Sequence, residues 1–226
     1  MASTARDLNA VAGAAAGRRT KPTSGPTRER LLAAARRSFA NLGFASTRVA
    51  DIVALAGTSH GTFYTYFDDK RDVLLALTQE AASAIYGAAV APLAGSERPS
   101  PRDAIRARLT VFLRTYGEWW DVVRTWDHAS AIHPEVDELR GRIRTSIVER
   151  LCQLLARDPQ LRPVDGRLDL ETAAIALTAM VEGFADRWFA LGRTMGTTEI
   201  DQLTALCAGA LYASAAAGAQ GQDSSG

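Results

Sequence analysis

The sequence predicts an all-α fold. Three short N-terminal helices in helix-turn-helix arrangement are followed by a larger helical bundle, about nine helices in all. Three observations carry this. Apolar residues recur at i, i+3, i+4 and i+7 along most of the 226 residues. The strict alternation of a strand is essentially absent. Breakers such as Pro134, Pro159, Pro163, Gly166 and Gly196 fall at the limits of the periodic runs.

Residues 1–25 are rich in Ala, Gly, Thr, Ser and Pro without sustained periodicity, and read as a disordered arm. Within it Arg18-Arg19-Thr20-Lys21 is a short basic stretch, of the kind that touches phosphates or simply solubilises. Gly13 to Gly17 makes no phosphate loop, because no Gly-Lys-Ser/Thr follows.

A first helix is expected from Thr27, its cap, to Leu42, with Leu31, Ala35, Phe39 and Leu42 turned inward. Thr47 offers a side-chain oxygen as N-cap of a second helix, in which Val49, Ile52, Val53 and Ala56 form one stripe. Gly57 supplies the left-handed residue that ends it. Ser59 caps a third helix, with Phe63 and Phe67 pointing inward. That leaves His60, Thr62, Tyr64, Thr65 and Tyr66 on its outer faces, which suits insertion into a major groove. A fourth helix is expected from Lys70 to Ala91, capped by Asp69, stopped by Pro92, and burying Val73, Leu74, Leu77 and Ala81. After the loop Gly95–Pro101, helices are expected near 102–117, 119–130, 134–157, 168–192 and 199–216; the tail from 217 should fray.

The signature Gly43-Phe44, Thr47, Ile52, Ala56-Gly57, Ser59, Gly61-Thr62-Phe63-Tyr64-Thr65-Tyr66-Phe67 and Lys70 resembles that of the TetR (tetracycline-repressor-like) family of bacterial regulators. The clear likeness covers roughly residues 27–86. It implies a DNA-binding domain at 26–86, a ligand-sensing and dimerisation domain at 87–216, and a disordered tail at 217–226. By geometry, Thr47 and Arg48 at the start of the second helix are placed to meet a phosphate. Ser59, His60, Gly61 and Thr62 open the third helix, the end that meets base edges, and Gly61 permits close backbone approach. The resemblance makes Tyr64, Tyr66 and Lys70 phosphate contacts and His60, Thr62 and Thr65 the readers of sequence. Asp68 and Asp69 beside Lys70 would repel a phosphate.

Charge agrees in direction. Residues 1–80 hold 11 Lys/Arg against 7 Asp/Glu, net +4, and residues 81–226 hold 15 against 18, net −3. Cys152 and Cys207 read as core thiols of a reducing compartment. No apolar run reaches the roughly 18 residues of a membrane span, and no signal-peptide centre is present, so a cytoplasmic location is expected. An enzyme is disfavoured: there is no Gly-x-Ser-x-Gly elbow, no dinucleotide fingerprint, no His-Glu-x-x-His and no convincing carboxylate pair. No cofactor is implied. Asp127, His128, His133, Glu135 and Asp137 are the one group resembling a metal site, but the histidines straddle Pro134 and do not share a helix turn.

In the second half Phe112, Tyr116, Trp119 and Trp120 share a helical face, with Trp126 nearby, as do Met180, Phe184 and Trp188. Spacing alone fits a packed aromatic core or a pocket. The resemblance implies the pocket, and the scarcity of charge on either face suits an apolar or aromatic effector that Glu182 or Asp186 could orient. It also implies that the last two helices build a homodimer, with Leu177, Val181, Leu203, Leu206 and Ala210 at the interface. The resulting expectation is a ligand-responsive repressor released from a palindromic operator in double-stranded DNA. A ligand-independent regulator or an activator is the alternative.

Overall fold

The computed structural model describes residues 21–91, 99–157 and 169–212. Pro92, the breakers between 158 and 168, most of the N-terminal arm and the C-terminal tail lie outside them. The described residues form nine helices and no strand: α1 (Pro26–Leu42), α2 (Val49–Ala56), α3 (His60–Tyr66), α4 (Lys70–Val90), α5 (Pro101–Glu118), α6 (Trp120–Ser130), α7 (Pro134–Arg157), α8 (Leu170–Ala190) and α9 (Thr197–Tyr212). They group into two compact units. Met1–Ala84 clusters with Glu118–Ile143, and Ile85–Gly117 clusters with Arg144–Gly226.

In the first unit Leu31, Ala35, Phe39, Ile52, Phe63, Phe67, Val73, Leu74 and Leu77 are buried together with Val136 and Leu139 of α7. Two expectations for α1 fail. Leu42 is 52 % exposed, because the helix ends there and Gly43, at φ 77, turns the chain away from the stripe. Thr27 is not the cap: Pro26 occupies the first helical turn, where its missing N–H costs nothing, and Gly25 precedes it.

The α2 cap is also one residue later than expected. Thr47 is 1 % exposed and its hydroxyl donates 2.8 Å back to the Gly43 carbonyl. The N-cap is Arg48, whose amide donates 2.8 Å to the Asp51 carboxylate. Gly57 closes α2 at φ 61, ψ 45, a left-handed conformation that costs a residue with Cβ roughly 1–2 kcal/mol. Ser59 caps α3 as expected, accepting from the Thr62 amide at 3.1 Å. Asp69 accepts the amides of Arg71 and Asp72 at 2.8 and 3.0 Å and so caps α4.

In the second unit α8 and α9 pack on each other. Ala173, Ala174, Ala185, Leu203, Cys207 and Leu211 are buried, and the small side chains on α8 allow close approach. Leu203, at 2 % exposure, is internal packing and not the free interface residue expected from the stripe. Cys152 and Cys207 are both free thiols, and burial pushes Cys207 up to about 11, which keeps it an inert thiol. Among the described residues no helix is long and apolar enough to cross a membrane.

Candidate nucleic-acid interface

The α2–α3 segment displays its polar groups because its apolar ones are spent inward. Phe63 is fully buried and Phe67 is 3 % exposed, with ring centroids 5.8 Å apart. Arg28 of α1 lies 5.4 Å over the Phe67 ring and donates to Glu80 at 3.1 Å, which holds α3 against α1 and α4. With that side fixed, Ser59, His60, Gly61, Tyr64 and Thr65 are exposed and Thr62 and Tyr66 half-buried. Tyr64 is 53 % exposed and braced edge-on against Phe63, at 5.4 Å between centroids. The guanidinium of Arg48 is exposed at the start of α2.

These side chains are not equally available. Ser59 is committed to capping, and its hydroxyl also bonds that of Thr62 at 3.0 Å. The Thr65 hydroxyl donates to the Gly61 carbonyl at 3.1 Å. Thr47 has turned inward, so the phosphate contact expected of its hydroxyl does not fit; Arg48, one residue on, keeps its donors outward. Lys70 donates to three main-chain carbonyls, those of Phe44, Ala45 and Thr47, each at 2.8 Å.

The acidic residues beside Lys70 are ion-paired. Asp68 meets Lys21 at 2.8 Å, and Asp69 meets Arg71 at 2.7 Å. Burial alone would raise the Asp69 carboxyl. Bonds from the Arg71 side chain and from the Asp72 and Arg71 amides outweigh it and hold the pKa below the ordinary value.

Sequence reasoning missed the braces of this unit. Arg36 of α1 grips Asp121 with Nε at 2.8 Å and Nη2 at 2.7 Å, donates to the Glu118 carbonyl, and lies 4.4 Å over the Trp119 ring. Arg71 reaches Glu135 at 3.0 Å, and His133 packs edge-on against Phe44 at 5.5 Å. Asp127 pairs with Arg140 at 2.8 Å. Asp127, His133 and Glu135 of the metal-like cluster are thus drawn into ion pairs and ring packing, and no group of three metal-binding side chains occurs among the described residues.

Residues 31–77 match the family model described as bacterial regulatory proteins, tetR family. The chain is 33 % identical over 170 residues to the HTH-type transcriptional regulator EthR of Mycolicibacterium smegmatis, spanning 74 % of this chain and 76 % of that one. The chain belongs to the TetR family. It is also 28 % identical over 183 residues to the regulator TtgR of Pseudomonas putida, covering 77 % of this chain and 85 % of that protein. The fold matches the fatty acid degradation regulator FadR of Bacillus halodurans, with a TM-score of 0.69, 18 % identity and coverage of 84 % and 99 %. This TetR-family chain is therefore a DNA-binding transcriptional regulator and not an enzyme.

The aromatics of the second half of the chain sit differently from the sequence expectation. Phe112 and Tyr116 are buried in the second unit. Trp119 falls in the break between α5 and α6, at φ −109 and ψ 10, so the spacing to Trp119 and Trp120 does not run along one helix. Both tryptophans belong to the first unit, where Trp126 is also buried. On α8 the stripe Met180, Phe184 and Trp188 is half-buried. The Trp188 ring stacks on Phe184, lies under Arg193, and donates from Nε1 to the Thr194 carbonyl at 3.0 Å. The inward face of α8 is instead Glu182, Ala185, Asp186 and Phe189. Glu182 accepts from the Tyr86 hydroxyl at 2.8 Å and faces Arg144 at 3.7 Å; Asp186 accepts from the Tyr116 hydroxyl. Tyr86, Phe112, Tyr116 and Phe189 form a run of rings 5.5–6.1 Å apart. Burial, and then the Glu182 charge, hold Tyr86 well above the ordinary phenol value, so it remains a donor.

Proposed function

We propose that this regulator is a homodimeric repressor that leaves a palindromic operator when the second unit binds a small molecule. The carrying observation is the inward face of that unit. Two carboxylates, each held by a tyrosine hydroxyl, sit beside a run of aromatic rings. Rings that supply apolar area, with a few convergent polar groups that fix orientation, are the makings of a small-molecule site. The effector is accordingly a mainly apolar, aromatic molecule that presents a hydrogen-bond donor to Glu182 or Asp186. This keeps the apolar or aromatic effector of the sequence reading, with Glu182 or Asp186 orienting it.

Dimerisation is supported by what α8 and α9 leave uncovered: Ile175 is 50 % and Leu206 60 % exposed, with Leu177 and Val181 half-buried and Ala210 exposed. An isologous interface there should bury on the order of 1,200–2,000 Å². The DNA contacts we assign are Arg48, His60, Gly61, Thr62, Tyr64, Thr65 and Tyr66.

Two measurements test the proposal. Wild type should run as a dimer in light scattering and Leu206→Asp as a monomer. A compound selected from an aromatic library by its shift in melting temperature should weaken operator affinity by a coupling of roughly 1–3 kcal/mol. Tyr86→Phe and Tyr116→Phe should reduce that response while leaving ligand-free DNA binding intact. A monomeric wild type, or binders that never change operator affinity, would overturn the proposal.

A further inference from the structure

We propose that Lys70 is a positioning residue of the DNA-binding unit, whose ammonium is spent on the main chain that leads into α2 and does not meet a phosphate. The observation is the convergence of three carbonyls, from Phe44, Ala45 and Thr47, on one nitrogen at 2.8 Å each. An ammonium has three donors and no more. The same nitrogen lies 4.9 Å over the Phe44 ring, which His133 flanks on its edge. These carbonyls belong to the turn between α1 and α2, where no helix ladder accepts them. Lys70 therefore ties the start of α4 to the entry of α2, and α2 in turn carries the Gly57 turn and α3.

Composition strengthens the case. The chain has 24 arginines and two lysines, Lys21 and Lys70. Almost everywhere a cation is needed, this sequence uses arginine, including for ion pairs and ring stacking. A guanidinium is planar, with donors fixed in a fork, and cannot point three N–H groups from one atom at three converging carbonyls. Lysine at 70 is thus the residue the carbonyl geometry demands, whereas a phosphate would be served as well or better by arginine. Burial draws the Lys70 pKa below the ordinary value, partly opposed by Asp69, as befits an ammonium surrounded by protein dipoles.

The two roles separate in the salt dependence of binding. Each lost phosphate contact lowers the slope of log affinity against log salt by about 0.9. Wild type, Lys70→Arg, Lys70→Gln and, as a phosphate-contact reference, Arg48→Ala are titrated with sonicated genomic DNA and with a duplex enriched from random DNA by the wild type. Genomic DNA reads the slope even if no motif is enriched, so failure of specific recognition is distinguishable from failure of this inference. Both Lys70 variants should lose about tenfold in affinity for the enriched duplex with the wild-type slope, because a misplaced α2 weakens contacts without changing their number. Lys70→Arg at wild-type affinity, or a slope reduced as in Arg48→Ala, would overturn the inference. Should the variants fail to fold, nitrogen-15 ammonium spectra of the wild type decide. The Lys70 signal should be slow to exchange without DNA and unshifted with it; a signal that shifts or becomes protected only with DNA contradicts the assignment.

Discussion

Phe63→Ala should abolish DNA binding by unfolding the first unit, at a cost of about 3–5 kcal/mol. Phe63 is fully buried, touches the rings of Phe67 and Tyr64, and is the inward anchor of a helix only seven residues long. So short a helix has little stability of its own and takes its position from packing. Deleting the ring leaves a cavity under the face that carries His60, Thr62 and Tyr64. Thermal melting followed by circular dichroism should show an early transition in the variant, and gel shift should show no complex. Tyr64→Ala is the control: that side chain is half exposed, so melting should hardly move while affinity falls for all sequences alike.

Salt should have an effect of similar size on the intact protein. The exposed Arg48 and Tyr64, the half-buried Tyr66 and the amides at the starts of α2 and α3 form a surface for phosphates. Two copies of it in the proposed dimer should make about six or more phosphate contacts. Affinity should then fall roughly 10³–10⁵-fold between 50 and 200 mM salt. Fluorescence anisotropy across that range measures it directly, and a loss under about tenfold would mean that few phosphates are engaged. Since Asp68 and Asp69 are each ion-paired with a neighbouring cation, they should contribute little repulsion to this slope.

Helix existence and the buried stripes of α2, α3 and α4 could be read from the chain because they follow from local period and capping chemistry. What could not be read was either a choice between competing local contacts or a partner distant in sequence. Thr47 can cap α2 or bond back to Gly43, and the choice is made by Asp51 taking the Arg48 amide. Lys70 reads as a free cation until the carbonyls 23–26 residues before it are brought to its nitrogen. On α8 the aromatic stripe was visible, but Glu182 and Asp186 face inward because Tyr86 and Tyr116, 96 and 70 residues away, supply their donors. Trp119 joined the wrong stripe because a spacing of seven has meaning only along an unbroken helix, and α5 ends at Glu118.

In the proposed complex α3 reads bases while its flanks hold the backbone. Selection from random duplex DNA, run in parallel with wild type, His60→Ala and Thr62→Ala, decides whether it does. The wild type should enrich a roughly palindromic motif. Discrimination should relax at particular base positions in each variant, by about 1–3 kcal/mol where the lost contact was direct. A wild type that enriches no motif, or variants that enrich the wild-type motif unchanged, would contradict it.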